Sequence, residues 1–321
     1  MPRRTSRWGL VGLLAAYVLL APPVFFFAAL ALLLAVGRPR SGREWFWLAV
    51  SMALTGAWTL GGTANLAAGV TTAVGAMAAG IFVALVLGTD WALFRRVVVA
   101  ATASLLAAVL WLARAGHRWA EVQDSFARGL MALFAQQADS FAARGLDPGL
   151  VSQVRAMGES SARVAPLLAG LLVVGVMAGL ALAERWRWQI TGRALGQVDR
   201  GFRALRFSDQ VVWLLVVALA MLLTGPRQAE LSGVPIRNWA ANLLLVVTVC
   251  YVLRGLAVYQ AAAARVARRA NVVLAIVALP FWPIAATGLG LLGLADAWID
   301  FRRRFGAPQP EDGPDDRSHS A

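Results

Sequence analysis

The chain alternates between long apolar stretches and short polar connections. Six of the apolar stretches contain about 17–21 residues each, which is enough for a helix to cross roughly 30 Å of hydrocarbon. They lie at residues 45–63, 68–88, 93–113, 165–183, 208–224 and 239–259. This pattern predicts an all-α fold, a polytopic helical membrane bundle.

Two longer apolar stretches, one near each terminus, carry proline near their middle. The first, residues 8–37, contains the pair Pro22–Pro23, and the second, residues 270–301, contains Pro280 and Pro283. Proline removes a backbone donor and breaks a helix. Because arginines flank each stretch on both sides, a hairpin of two short helices would keep both arginine groups on one side of the membrane. We therefore predict two Pro-broken terminal hairpins, and about 8–10 membrane segments in all.

The distribution of arginine predicts the orientation. If the segments cross alternately, 18 arginines lie in the N-terminus and the short loops of one side, whereas the short loop 225–238 on the other side holds two. Short cytoplasmic loops are enriched in basic residues. We expect a bacterial inner (cytoplasmic) membrane protein with both termini in the cytoplasm. Its basic loops, such as 184–206, would face the anionic lipids of the inner leaflet.

Composition supports a membrane protein and argues against several other classes. Hydrophobic residues make up 59% of the chain and charged residues 15%, against about 45–50% and about 25% in soluble domains. The net charge of +13 is explained by the loop arginines, so we do not expect nucleic-acid binding. The single cysteine, Cys250, cannot form an intrachain disulfide, and His117 and His319 are far apart in sequence. We expect no metal site and no cofactor.

Residues 117–164 differ from the rest of the chain because their apolar residues recur with helical spacing instead of forming a continuous run. The sequence LDPGL interrupts this spacing, and a second helix is predicted to begin at Leu150. We predict an extracytoplasmic amphipathic helical hairpin inserted in a single membrane domain, residues 1–304. The hairpin is either a cap on the bundle or membrane surface, or a binding lid or partner-docking element. The acidic, Pro-rich tail 305–321 is predicted to be disordered.

Ionisable side chains inside apolar helices are the first candidate functional residues. Arg254 interrupts the run CYVLRGLAVYQ, and a charge in hydrocarbon costs at least about 2.5–3.5 kcal/mol unless it reaches the interface or pairs. Arg254 therefore either extends to the interface or forms a salt bridge, for which Asp296 is the nearest acid by depth. Both alternatives remain open from the sequence.

The sequence LLGLADAWIDFRRR places Asp296 and Asp300 on one helix face. Asp300 has Arg304 four residues later, a favourable pair, whereas the residue four positions after Asp296 is itself acidic. Asp296 thus needs a cation from elsewhere. It would form a structural ion pair with an arginine, or take part in a proton- or ligand-coupled site. Hydrolysis by the two aspartates is the weakest alternative because no nucleophile accompanies them, and we do not expect an enzyme.

Glycines at helical spacing are the other candidates. The sequence GLGLLG, which includes Gly288 and Gly293, matches a phosphate-binding pattern, but no strand precedes it. Close helix contact is the better interpretation. Gly175 and Gly179 form a G-x-x-x-G pattern that predicts a packing face within the bundle or between protomers.

The second half of the chain resembles a known family. The helix NLLLVVTVCYVLRGLAVYQ and the final segment carry a set of positions that match the YybS-like family of predicted bacterial membrane proteins. These positions are Asn242, Leu243, Gly255, Leu256, Val258, Gly293, Asp296, Asp300 and Arg302. The resemblance implies an all-helical fold that is remotely related to the substrate-binding subunits of energy-coupling-factor vitamin transporters. It also implies a site for a small molecule.

We therefore expect a transport-related or small-ligand-binding membrane subunit. The alternative is a non-catalytic membrane scaffold that recruits membrane protein partners through its basic cytoplasmic loops and its hairpin. The candidate residues for structure or ligand coupling are Asp296, Asp300, Arg254, Asn242 and Arg302, and those for helix packing are Gly175, Gly179, Gly288 and Gly293.

Overall fold

Helices make up most of the chain. The computed structural model describes residues 7–61, 65–193, 211–224, 230–231, 233–263, 280–299 and 301. Within them lie the α-helices α1 (Arg7–Leu20), α2 (Val24–Val36), α3 (Gly42–Gly61), α4 (Leu66–Gly88), α5 (Leu93–Arg114), α6 (Trp119–Ala143), α7 (Pro148–Ala162), α8 (Leu168–Thr191), α9 (Val211–Thr224), α10 (Ile236–Ala263) and α11 (Trp282–Ile299). A 3-10 helix, Ala165–Leu167, leads into α8, and two short strands, β1 (Glu230–Leu231) and β2 (Val234–Pro235), pair antiparallel before α10.

Five helical segments in the described part of the chain are long and apolar enough to cross a membrane. They are α4, α5, the segment Ala165–Thr191, α10 and α11. Helices α2 and α9 are apolar but shorter. Helix α3 has 20 residues but is not among the five, because serine, threonine, glycine and two charged residues interrupt its apolar sequence. The chain is an all-α polytopic membrane protein, as the sequence predicts.

The chain divides into two compact units. The first contains residues 1–199 and 213–246, and the second contains residues 200–212 and 247–321. The predicted single domain, residues 1–304, stays a prediction, and the tail 305–321 lies outside the described residues.

Helix α2 forms the core of the first unit. Its thirteen residues are all apolar, and a helix that is apolar all round is found either in a protein core or in contact with lipid. It packs against α3, α4 and α8. Ten of its residues are buried, from Val24 to Leu34 with the exception of Leu32.

The turn between α1 and α2 lies at mid-depth in this unit. Phe25, just after the Pro22–Pro23 pair, contacts Gly75 in the middle of α4 and Gly175 in the middle of α8. The hydroxyl of Tyr17 in α1 donates a hydrogen bond to the carbonyl of Gly175, 3.1 Å away. The prolines thus break the first terminal stretch into two short helices, α1 and α2, as predicted. That these helices form a hairpin with both ends on one side of the membrane stays a prediction. In the second stretch, residues 270–279 and 300 lie outside the described residues, so its hairpin stays a prediction.

Helices α6 and α7 form the amphipathic hairpin. Asp147 accepts a hydrogen bond from the backbone N–H of Leu150 and Pro148 is the first residue of α7, so the residues LDPGL begin this helix. Helix α7 packs against α6, with Gly158 against Phe134. Trp119 and Val122, at the start of α6, are buried. Leu133 and Met157, farther along the hairpin, are more than half exposed.

Candidate functional site

Arg254 and Asp296 form a buried ion pair in the second unit. The guanidinium Nε of Arg254 donates to Oδ2 of Asp296 at 3.0 Å, and Nη2 donates to the backbone carbonyl of Asp296 at 3.1 Å. Only 6% of Arg254 and 3% of Asp296 is exposed. Of the two alternatives for Arg254, the structure shows the ion pair and not the extension to the interface.

Close contact between α10 and α11 brings this pair together. Gly255 lies against the backbone of Leu289 and Gly293, and Gly293 lies against the backbone carbonyl of Tyr251. An added Cβ at either glycine would collide with these backbone atoms. Glycine lets helices approach to backbone contact, so Arg254 can reach Asp296 on the neighbouring helix.

Of the four glycines predicted to pack against a helix, three have close neighbours in the described part of the chain and one, Gly288, does not. Gly293 lies in the helix contact described above, whereas no described atom lies within 4 Å of a Cβ added at Gly288. Gly175 and Gly179 pack against Phe25 inside the first unit: an added Cβ would lie 3.2 Å from a ring carbon of Phe25 at Gly175, and 2.9 Å from its carbonyl carbon at Gly179. The G-x-x-x-G face therefore packs within the bundle.

Asn242 connects the start of α10 to the start of α8. Its Oδ1 accepts a hydrogen bond from the backbone N–H of Gly170 at 2.6 Å, and its Nδ2 donates to the carbonyl of Pro166 at 2.7 Å. The first N–H groups of a helix have no partner within the helix. Asn242 supplies one for α8 from another helix, so its contacts are those of a structural cap. The other predicted residues, Asp300 and Arg302, lie outside the described residues.

A second ion pair, which the sequence interpretation missed, joins the buried Glu44 at the start of α3 to the partly exposed Arg193, two residues after the end of α8. Oε2 of Glu44 lies 2.6 Å from Nη2 of Arg193 and accepts the backbone N–H of Arg40 at 2.9 Å. The pKa of Glu44 is lowered, mainly by the Arg40 N–H, with burial opposing this and Arg193 adding to it. The sequence does signal a role for Glu44 at the start of α3, because Ser41 and Glu44 have the spacing of a capping box, but it carries no signal for the pairing with Arg193.

Arg187, near the end of α8, was also missed. Its guanidinium makes two hydrogen bonds to Glu184, at 2.6 and 3.0 Å, and a third to the carbonyl of Arg193 at 2.9 Å. Gly192 between them has a φ of +64°, which turns the chain back so that this carbonyl faces Arg187. Only 1% of Arg187 is exposed, so this arginine has a structural role at the helix end.

A polar cleft lies where α4 begins beside α6. Its volume is about 570 Å³. It is open to solvent and is lined by Asn65, Leu66, Glu121, Ser125, Arg128 and Gly129. Cofactor and ligand pockets commonly have volumes of about 300–1,000 Å³, so the cleft is large enough for a small organic molecule.

Side chains from both helices fix the shape of this cleft. Oδ1 of Asn65 accepts the N–H of Ala68 at 2.8 Å, and Oγ of Ser125, which is buried, accepts the N–H of Ala67 at 3.3 Å. These two bonds cap the first turn of α4. Because Ser125 is on α6, they also hold α6 against α4.

Glu121 belongs to the same cleft. Its Oε2 lies 2.8 Å from Nδ1 of His117, and its Oε1 accepts the backbone N–H of Arg118 at 3.3 Å. These contacts lower the pKa of Glu121, the one with His117 most. The carboxylate, which is ionised at neutral pH as glutamate ordinarily is, lies at the first turn of α6.

Metal binding has no support in the described part of the chain, where no three His, Cys, Asp or Glu side chains converge. The expectation of no metal and no cofactor stays a prediction.

Comparison with known proteins identifies a family. A family model described as "Predicted membrane protein (DUF2232)" matches residues 10–297, nearly the whole chain. No curated protein and no solved structure matches. The family description agrees with the membrane helices and specifies no ligand.

Proposed function

Because the chain belongs to the DUF2232 family of predicted membrane proteins, we propose that it is a small-ligand-binding membrane subunit related to transport. The observation that carries this proposal is the open polar cleft between α4 and α6, with its volume of about 570 Å³. Four of its six lining residues have polar or charged side chains, and polar groups that converge in a cleft fix the orientation of a ligand. The protein acts in this proposal by binding and not by catalysis.

We also propose the closer relationship to the YybS-like family and, more remotely, to the transporter subunits that bind vitamins. Its support is the motif in α10 and α11. Gly255, Gly293, Arg254 and Asp296 form one contact region, so a sequence that keeps these residue types would keep the same helix crossing. In this proposal the second unit supplies a rigid membrane element and the first unit supplies the ligand site.

The hairpin of α6 and α7 supports a second candidate function. Leu133, Leu150 and Met157 are 40–53% exposed along it, and apolar side chains at this exposure are available to a protein partner. A scaffold protein would use this surface and the basic loops to recruit membrane proteins, with no small ligand.

A thermal unfolding screen of the protein in lipid nanodiscs tests the proposed function. A solute that binds only the folded state at 100 times its Kd stabilises the fold by about 2.7 kcal/mol. We expect at least one solute in a panel of vitamins and small metabolites to raise the unfolding temperature. The same solute should not stabilise Gly129→Leu, which fills the cleft, but should stabilise the control Ala143→Leu on the exposed end of α6.

Two results would contradict the proposal. In the first, no solute in the panel stabilises the protein, and a membrane protein co-purifies with the wild type but not with Leu150→Ser. This result would favour the scaffold function. The other is full stabilisation of Gly129→Leu, which would place the ligand outside the cleft.

A further inference from the structure

The cleft between α4 and α6 has one cation whose charge no acid of the described chain neutralises. Arg128, which lines the cleft, forms no ion pair with any described residue. The cleft's carboxylate, Glu121, has its own partners in His117 and the backbone N–H of Arg118. The guanidinium of Arg128 therefore remains available to an anion from solution.

Two further donors line the same cleft. Oδ1 of Asn65 is used by the N–H of Ala68, which leaves the amide Nδ2, a donor, close to Gly129: a Cβ added there would lie 3.6 Å from it. Oγ of Ser125 accepts the N–H of Ala67, so its hydroxyl hydrogen can point elsewhere. The N–H groups of Ala67 and Ala68, in the first turn of α4, are already occupied by these bonds. The hydrogen-bond donors for a ligand in the cleft therefore come from side chains and not from the start of α4.

We propose that the cleft binds the oxyanion of a small organic acid through Arg128, Asn65 and Ser125. This inference rests on the proposed function and adds the class of ligand. A planar guanidinium binds a carboxylate or phosphate group with two parallel hydrogen bonds, and amide and hydroxyl donors complete such a site. A volume of about 570 Å³ exceeds that of an oxyanion alone, so the ligand also has an organic body, which the side chain of Leu66 contacts.

Glu121 restricts the class further. Its carboxylate lines the same cleft, on the same helix face as Arg128 and two turns before it, or about 10 Å along the axis. A second anionic group on the ligand would approach this carboxylate and be repelled. The expected ligand thus carries a single acidic group at one end and a neutral or cationic body.

Matched pairs of acids and amides test the class of ligand. Aromatic and aliphatic monocarboxylates, such as benzoate, are compared with their uncharged amides, such as benzamide, by thermal unfolding and titration calorimetry of the full chain in neutral-lipid nanodiscs. We expect acids of the right shape to bind and their amides to bind at least ten-fold more weakly. Inorganic phosphate and vesicles of phosphatidylglycerol are separate arms, because a lipid headgroup has the same chemistry.

Two variants locate the binding. Arg128→Gln should weaken the binding of the acid at least ten-fold, and the control Arg144→Gln, which changes an exposed arginine at the other end of α6, should leave it unchanged. Asn65→Asp keeps an oxygen for the N–H of Ala68 but replaces the Nδ2 donor by a negative charge. It should weaken acid binding while the unfolding temperature of the free protein stays the same.

The possible results are distinguishable. Equal binding of acids and amides, or of wild type and Arg128→Gln, would overturn the oxyanion site while leaving a ligand-binding function intact. If no solute of any charge binds, the proposed function fails together with this inference. Binding of the phosphatidylglycerol vesicles alone, lost with Arg128→Gln, would support the oxyanion chemistry and make a lipid headgroup its source.

Discussion

A charged pair that is enclosed by helices is stable only while both partners are present. Arg254 and Asp296 are nearly inaccessible, and Arg254 lies nine residues before the end of α10, or about 14 Å along its axis. Its guanidinium is bonded to the side chain and the backbone carbonyl of Asp296 on α11. The pair therefore contributes to the free energy of unfolding only while each charge is neutralised by the other, as for other buried ion pairs.

Replacing Asp296 by asparagine should destabilise the protein strongly. Asp296→Asn keeps an oxygen for Nε of Arg254 but leaves the arginine charge uncompensated, and breaking a buried pair in this way costs about 3–5 kcal/mol. Thermal unfolding in nanodiscs should show a clear drop in midpoint, and the amount of protein in the membrane should fall. The matched control Asp300→Asn should have a mild effect, because this residue comes just before the basic end of the segment.

The double variant Arg254→Gln/Asp296→Asn sharpens this test. Neutralising both partners removes the uncompensated charge, so most of the lost stability should return. If Asp296→Asn and Asp300→Asn had equal, negligible effects, the ion pair would have no structural role and its coupling to a ligand or proton would become the better hypothesis.

The sequence restricted the choices most at Arg254. It left two alternatives for this residue, extension to the interface or a salt bridge with Asp296, the nearest acid by depth, and the structure shows the salt bridge. Glu44 and Arg193, in contrast, are separated by 149 positions and lie among polar residues at helix ends, where the sequence offers many partners. Their pairing depends on how α3 packs on α8, which no local pattern specifies.

At the scale of helices, close approach is determined by which glycine faces a neighbour. The sequence GLGLLG contains three glycines with the same intrinsic properties, but only Gly293 is in backbone contact with α10. Periodicity indicated a packing role for the group. It could not identify the contacting residue, because that depends on the rotation of α11 about its axis.

Alanine substitutions should separate these glycines. Gly293→Ala places a methyl group against the carbonyl of Tyr251, so α10 and α11 must move apart and the bonds between Arg254 and Asp296 lengthen. We expect a destabilisation of about 1–3 kcal/mol, the usual cost of overpacking. Gly288→Ala, in open space, should be neutral or stabilise the helix by up to about 1 kcal/mol. Unfolding midpoints measure both, and equal effects would contradict the observed helix contact.

At the scale of the whole molecule, hydropathy determines much of what can be predicted. The long apolar stretches predicted helices, and the paired prolines predicted a break within the first stretch; both are found. The polar cleft was not predicted, because Asn65, Ser125 and Arg128 belong to two different helices and each looks like an ordinary cap or surface residue. Only the packing of α6 against α4 brings them together.

We expect the same arginines to set the orientation of the first unit in the membrane. Helices α4 and α8 begin at one end, because α6 bonds to the start of α4 through Ser125 and to Pro166, just before α8, through Gln123. The arginine-rich turn 38–43 is held at the opposite end by the contact of Glu44 with Arg193. Basic turns favour the cytoplasmic side, so the hairpin of α6 and α7 should be extracytoplasmic.

Single cysteines in a Cys250→Ala background test this orientation. A membrane-impermeant maleimide added to intact cells should label Ala143→Cys at the exposed end of α6, and should label Ser41→Cys in the turn 38–43 only after the membrane is permeabilised. Ala100→Cys, at a buried position of α5, should remain unlabelled under both conditions. Labelling of Ser41→Cys in intact cells, with Ala143→Cys protected, would invert the topology. The open cleft would then face the cytoplasm, and its ligand would have to be a cytoplasmic acid instead of one captured from outside.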